Sequence, residues 1–117
     1  MKIHRVKVRT SRGVPYTKTY LIIPKRVEYD MNLKAGQTMF LSSVTPGELS
    51  LRKSLKYADD APVTLAQYNH KKVGQQTYYN LRINIPKQFE TRTNLTKYQN
   101  CDIYQTGNQI TIELENS

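Results

Sequence analysis

The residues best placed to do chemistry in this chain are cations. Lys2, Arg5, Lys7, Arg9, Arg12 and Lys18 crowd the first eighteen positions, and no acidic residue precedes Glu28. Residues 1–58 hold twelve lysines and arginines against three acidic residues, a net of +9, whereas residues 59–117 hold six of each. The excess charge of the whole chain, +9 at pH 7, therefore lies in its first half. A run of one sign raises the local concentration of polyanions, so nucleic acid or an anionic membrane surface is the expected partner class.

Other chemistry finds no support. His4 and His70 are the only histidines, and neither stands at a metal-ligand spacing. Asp59-Asp60 has no third ligand beside it, Ser42 and Ser43 have no base nearby, and five scattered glycines form no phosphate-cradling loop. The single cysteine, Cys101, rules out an intrachain disulfide and a cysteine-rich zinc site and suits a reducing cytoplasm. Its apolar, alternating neighbours predict that it packs as a small hydrophobe. No catalysis, metal or cofactor is expected. The longest apolar run, Tyr20-Leu21-Ile22-Ile23, falls far short of the roughly 20 residues that span a bilayer. Met1-Lys2-Ile3-His4-Arg5 lacks the apolar core and cleavage site of a signal peptide. The expectation is a soluble, cytoplasmic protein with no membrane partner.

These cations must be carried by strands. Residues 3–9 approximate the alternation of a half-buried strand, with Ile3, Val6 and Val8 inward and the basic residues outward. Ser11-Arg12-Gly13 supplies turn chemistry, and a second strand runs from Thr17 to Ile23. Pro24 ends it, because proline has no amide hydrogen, and is welcome at a helix start, so Pro24 to Asp30 reads as a short helix. Ala35-Gly36-Gln37 makes a turn, and strands from Met39 to Val44 and Glu48 to Lys53 flank Pro46-Gly47. The order then recurs: a strand from Val63 to Tyr68, a loop from Asn69 to Gly74, a strand from Tyr78 to Ile85 and a helix from Pro86 to Thr91. Strands from Asn100 to Gln105 and Gln109 to Glu115 close it around Gly107-Asn108.

The recurrence has a fixed offset. Ile22-Ile23-Pro24-Lys25 matches Asn84-Ile85-Pro86-Lys87 at 62 residues, and at that offset Leu21 falls on Ile83, Val27 on Phe89, Asn32 on Asn94, Leu33 on Leu95, Gln37 on Gln99 and Leu41 on Ile103. Leu49 and Leu51 meet Ile110 and Ile112 once one residue is removed from the first turn. A core pattern held over this length reads as an internal duplication. The halves are 1–54 and 63–117, joined by a linker over 55–62.

A strand ending in Ile-Pro-Lys, a short helix, a leucine before a turn and then a hairpin resembles the AbrB/MazE/SpoVT swapped-hairpin family. The first copy carries the pattern as Leu21-Ile22-Ile23-Pro24-Lys25 and Leu33-Lys34-Ala35-Gly36-Gln37, the second as Ile83-Asn84-Ile85-Pro86-Lys87 and Leu95-Thr96-Lys97-Tyr98-Gln99. Together they cover nearly the whole chain. The sequence departs from the family in lacking an acidic residue after Gly36 and in having Tyr98-Gln99 in the second copy. The usual Gly-Arg before the Ile-Pro strand is also replaced, by Lys18-Thr19-Tyr20 and Asn80-Leu81-Arg82. The resemblance implies a mainly β fold, an AbrB-like swapped-hairpin β-barrel formed as an intrachain pseudo-dimer with a short helix in each copy. It also implies a double-stranded DNA-binding transcriptional regulator, monomeric as a pseudo-dimer or in a higher assembly of it.

In that family the DNA is met by the first strand, its loop and the second strand of each half. Carried over by position, the face holds Arg5, Lys7, Arg9, Arg12 and Lys18 in the first copy and Lys71, Lys72 and Arg82 in the second. Lys25 joins them, although it and Lys87 also have a structural reading as solvated residues at a helix start. Guanidinium forks suit phosphates and guanine edges, and lysines act as point charges on the backbone. The uneven charge of the copies predicts asymmetric binding. Beside a nonspecific architectural role on DNA, which charge alone does not distinguish, two other readings stay open. One is an antitoxin with a protein partner, disfavoured because the chain ends at Ser117 directly after the last strand. The other is a single-stranded RNA-binding module that stacks bases on Tyr16, Tyr20, Tyr78 and Tyr79.

Overall fold

Each proline of the two Ile-Pro-Lys segments ends a strand and starts a helix with nearly the same backbone: φ −59°, ψ 141° at Pro24 and φ −60°, ψ 143° at Pro86. A computed structural model describes residues 3–9, 12–13, 15–43, 45, 47–58 and 60–115, and gives the backbone alone at 8, 9, 68–73, 76–79 and 96. The strands are β1 (His4–Arg9), β2 (Pro15–Ile23), β3 (Thr38–Ser42), β4 (Glu48–Arg52), β5 (Ala61–Thr64), β6 (Ala66–Val73), β7 (Gln76–Asn84), β8 (Asn100–Thr106) and β9 (Gln109–Glu115). The helices are α1 (Lys25–Asp30) and α2 (Lys87–Thr93), and a 3-10 turn covers Leu95–Lys97. Among the described residues no helix is long and apolar enough to cross a membrane.

The fold is mainly β, with two antiparallel sheets ordered β1-β2-β7-β6 and β5-β3-β4-β9-β8. The strands do not close into one barrel: among the described residues each sheet keeps two edge strands. The chain passes between sheets through α1, α2 and turns rather than by bending a continuous strand. Asn32 and Asn94, just beyond the helices, take φ of 53° and 54°, a left-handed conformation that asparagine tolerates and that stops each helix after two turns or fewer.

The centre of each sheet is made by residues at the repeat offset. In the first sheet Leu21 pairs with Ile83, and in the second Ser50 pairs with Thr111, between Leu49↔Ile112 and Leu51↔Ile110. The backbone exchanges bonds on the same plan. Ile3 N–H donates to the Gln99 carbonyl at 3.1 Å, and Leu65 N–H, 62 residues on, donates to the Gln37 carbonyl at 2.9 Å. Leu21, Ile23, Leu49, Leu51, Ile83 and Phe89 are completely buried in one core drawn from both halves. Removing a side chain of this size from water stabilises by about 1.5–3 kcal/mol.

Four sequence expectations change. The segment expected as one strand from Val63 to Tyr68 is two, because the backbone at Leu65 is held by Gly36 and Gln37 and turns from one sheet to the other. Its first part, β5, takes in the last two linker residues, Ala61 and Pro62, and pairs with β3. The expected loop from Asn69 to Gly74 is mostly strand: β6 continues to Val73, and an irregularity between Tyr68 and Lys71 absorbs the extra residues. Finally, the faces of β1 are reversed. Residues directly opposite in an antiparallel pair share a face, and Arg5↔Thr19 and Lys7↔Thr17 put these cations on the side of buried Thr19 and Leu21. Val6 is 43% exposed on the other side. Buried Ile3 fixes this phase. The ends expected at Val44 and Pro46 lie outside the described residues.

Candidate nucleic-acid interface

Because β2 and β7 pair at the middle of the first sheet, that sheet brings the β1–β2 and β6–β7 hairpins together on one surface. Its outer face is set by register: His4 and Val6 on β1, Tyr16, Lys18, Tyr20 and Ile22 on β2, and Arg82 and Asn84 on β7. Tyr20 lies at its heart. The His4 ring stacks on it, with centroids 4.9 Å apart and planes at 9°, and the Arg82 guanidinium carbon sits 5.2 Å from its centroid. Flanked by these groups from the two neighbouring strands, Tyr20 is only 7% exposed although it faces outward. A cation on an aromatic face contributes about 0.5–1 kcal/mol near the surface. Beside it, the Asn84 Oδ1 is buried and has no hydrogen-bond partner among the described residues.

The structure divides the cations expected on one face. Lys18 is half-buried on the outer face opposite Val6, and Arg82 is half-buried at the sheet centre. Arg12 is exposed in the turn before Gly13, whose φ of +79° needs glycine. Lys7 is exposed, but on the opposite side of the sheet, at the hairpin's outer end. Arg5 shares that side and has other work. Its Nη2 donates to the carbonyls of Leu95 and Tyr98, both at 2.7 Å, and so ties β1 to the end of the 3-10 turn, where the Leu95 carbonyl also accepts from the Tyr98 N–H. Lys25 opens α1, exposed and 3.5 Å from the Glu28 carboxylate, an (i, i+3) pair worth about 0–1 kcal/mol. Register sets Arg9 opposite Pro15, Lys71 opposite Tyr78 and Lys72 opposite Thr77, while their side chains lie outside the described residues.

The chain matches no family model, no curated protein and no solved structure. The site is therefore read from its own chemistry. Among the described residues no group of three histidines, cysteines or carboxylates is arranged to hold a metal. Cys101 is buried, and that burial, more than any neighbouring charge, pushes its thiol pKa up. A surface of aromatic rings, guanidinium, lysine and amide groups offers stacking and hydrogen bonding to bases or phosphates.

Sequence reasoning missed Asn84 and the role of the Tyr20 cluster. A signal was present: Asn84 is a polar residue at the offset position of Ile22, inside an otherwise apolar strand end. Two first-half cations outside the predicted face have structural partners. Arg52 donates to Ser42 Oγ at 2.8 Å and Gln109 Oε1 at 3.1 Å, and Lys53 donates to the Met31 carbonyl at 2.7 Å.

Proposed function

We propose that this chain is a cytoplasmic, double-stranded DNA-binding transcriptional regulator, built as an AbrB-like swapped-hairpin pseudo-dimer from one polypeptide. The observation that carries the reading is the pairing of counterpart residues at both sheet centres, Leu21 with Ile83 and Ser50 with Thr111. Such pairing is what a two-fold assembly of like halves requires. It sets two β-hairpins side by side as two-stranded ribbons, a shape that the major groove, about 12 Å wide, admits. The longest extent of the molecule, 42 Å, is enough for the hairpins to reach successive grooves one turn, about 34 Å, apart.

In this reading Arg12 and Lys18 hold phosphates for the first hairpin, with Arg9 of the same hairpin, and Lys7, on the other face of the ribbon, meets the opposite wall of the groove. Lys71, Lys72 and Arg82 serve the second. The first half carries all the net charge, so the first hairpin binds more tightly and a non-palindromic site suits the protein better than a palindrome. The test is a titration against random duplex DNA, duplex from around its own gene and single-stranded RNA at several salt concentrations. Duplex binding with a steep salt slope, tighter on the local DNA and weakened by Lys7→Ala/Arg12→Ala, supports it. Equal binding by that folded double variant defeats it.

One observation favours a second reading, a single-stranded RNA-binding surface. The His4–Tyr20–Arg82 cluster and exposed Tyr16 share one sheet face, and the Asn84 acceptor lies beside them. Tyr20 is already covered, which leaves Tyr16 as the open stacking platform among the described residues, the side chains of Tyr78 and Tyr79 lying outside them. Tighter binding to single-stranded RNA than to duplex, lost in Tyr16→Ala, would replace the DNA reading with this one.

A further inference from the structure

We propose that the cleft where α1 ends against the second sheet binds a small polyhydroxylated anion, a sugar phosphate or a sugar acid. Residues 30–32 at the end of α1, 52–54 at the end of β4 and 105–109 around the β8–β9 turn enclose an open space of about 560 Å³. These three segments and the residues flanking them all lie among the described ones. Sites for small molecules are usually of this size, about 300–1,000 Å³.

The duplication shows that the cleft belongs to one half alone. Beyond the first turn the offset is 61 residues, so Gly47 matches Asn108 and Lys53 matches Leu114. At the far end of the β4–β9 ladder the Leu114 N–H donates to the Gly47 carbonyl at 2.8 Å, one step past Glu48↔Glu113. The equivalent bond, from the Lys53 N–H to the Asn108 carbonyl, is absent among the described residues. The ladder stops at Arg52↔Gln109, and the chains part. Residue types change with it. Where the cleft has Arg52 and Lys53, the other half has Glu113 and Leu114, and Leu114 is buried while Lys53 is exposed. One end of the ladder is closed by apolar packing, and the other is left open with two cations.

The wall selects the ligand. Lys53 Nζ donates to the Met31 carbonyl at 2.7 Å, which holds the ammonium at the cleft and leaves it two further protons to donate. Arg52 commits Nε to Gln109 Oε1 and Nη1 to Ser42 Oγ, so its guanidinium is fixed. Asp30, the one carboxylate of the wall, already has Arg26 at 3.8 Å. The balance is positive and suits a phosphate or carboxylate. The amides suit hydroxyls. Gln109 gives its oxygen to Arg52 and keeps its NH2 to donate, whereas Gln105 gives its NH2 to the Gly107 carbonyl and keeps its oxygen to accept. A hydroxyl, which both donates and accepts, satisfies such a pair. The cleft lies in the second sheet, away from the face proposed for nucleic acid, so the inference stands apart from that reading.

The test titrates the whole isotope-labelled protein with glucose 6-phosphate, gluconate, glucose and inorganic phosphate. The two sugar anions should bind saturably, with Kd of about 1 mM or tighter, and shift the amides of Asn32, Lys53, Ser54 and residues 105–109. Glucose and inorganic phosphate should each bind at least tenfold more weakly. Lys53→Gln, its native spectrum retained, should weaken both sugar anions at least tenfold, and Lys53→Arg should restore most of the loss. Lys87→Gln, an exposed cation on the other helix, should change nothing. No saturable binding, equal binding of glucose, equal binding of inorganic phosphate, or equal losses in the Lys53→Gln and Lys87→Gln variants would overturn the proposal. Shifts of these amides by duplex DNA but not by glucose 6-phosphate would overturn it too, by giving the two cations to a nucleic acid.

Discussion

Leu21 lies directly across the β2–β7 ladder from Ile83, the residue 62 positions further along the chain. Each is fully buried, and each strand reaches this point from its own hairpin. The contact at the middle of the first sheet is thus a contact between equivalent positions. It binds the two halves of the sequence into one core.

Substituting either residue with alanine should therefore be costly. Leu21→Ala and Ile83→Ala are each expected to lose about 2–5 kcal/mol, measured by urea denaturation. Because they face each other, their effects should not add in the double variant. A loss below 1 kcal/mol in both singles would mean that the strands pair otherwise.

Arg5 and Arg12 separate stability from binding. Arg5→Ala removes two charge-assisted bonds to the Leu95 and Tyr98 carbonyls and should destabilise by about 1–3 kcal/mol. Arg5→Lys should recover only part, since both bonds come from the terminal Nη2 and the lysine side chain is one atom shorter. The salt slope of DNA binding should stay unchanged in a folded Arg5 variant.

Arg12→Ala should behave in the opposite way. The residue is exposed in a turn, so stability should move by no more than about 0.5 kcal/mol. If it contacts one phosphate, the magnitude of the slope of log K against log salt should fall by about 0.9. The same measurement on Lys18→Ala gauges the outer face.

Tyr104 gives a pH prediction. Its hydroxyl donates to the Glu113 carboxylate, and that bond, first among the causes, pushes the phenol pKa up from 10.0 to about 12. Folding thus favours the protonated phenol. Its contribution is fully present below pH 10 and is lost as the pH rises towards 12. An ultraviolet phenolate titration of the native protein should show a late component, and Tyr104→Phe should remove it.

Cys101 should be inert while the protein is folded. Burial raises its pKa, which lowers the thiolate fraction at neutral pH as well as access. Thiol-reactive dye should label it slowly in buffer and rapidly in denaturant. Equal rates would show that the β8–β9 end opens readily.

Much of the fold is legible because apolar spacing and proline placement act locally. Pro24 and Pro86 mark the strand-to-helix steps, and the offset that aligned Leu21 with Ile83 also names residues that touch. The faces of β1 were not legible. Val6 and Val8 suggested an apolar inner face, but strand phase follows Ile3, which is tied to Gln99 from the far half of the chain. The break at Leu65 has the same origin, in bonds to Gly36 and Gln37. The site was legible in its cations as residue types, and less so in their arrangement. Whether an arginine faces outward or caps a distant carbonyl, as Arg5 does, depends on contacts some ninety residues apart.

Gly36 and Tyr98 occupy equivalent positions at the 62-residue offset, yet one turns with φ of +87° and the other is extended at φ −104°. The Tyr98 hydroxyl lies 3.3 Å from where a Cβ on Gly47 would be, whereas a Cβ on Gly36 would meet nothing within 4 Å. In an assembly of two identical chains, a mutation appears at both such places together and must be tolerated at both. Here each position has its own codon. One half can therefore accept a bulky ring against a neighbouring turn while the other keeps its glycine, and heredity can tune the two ends of the molecule independently.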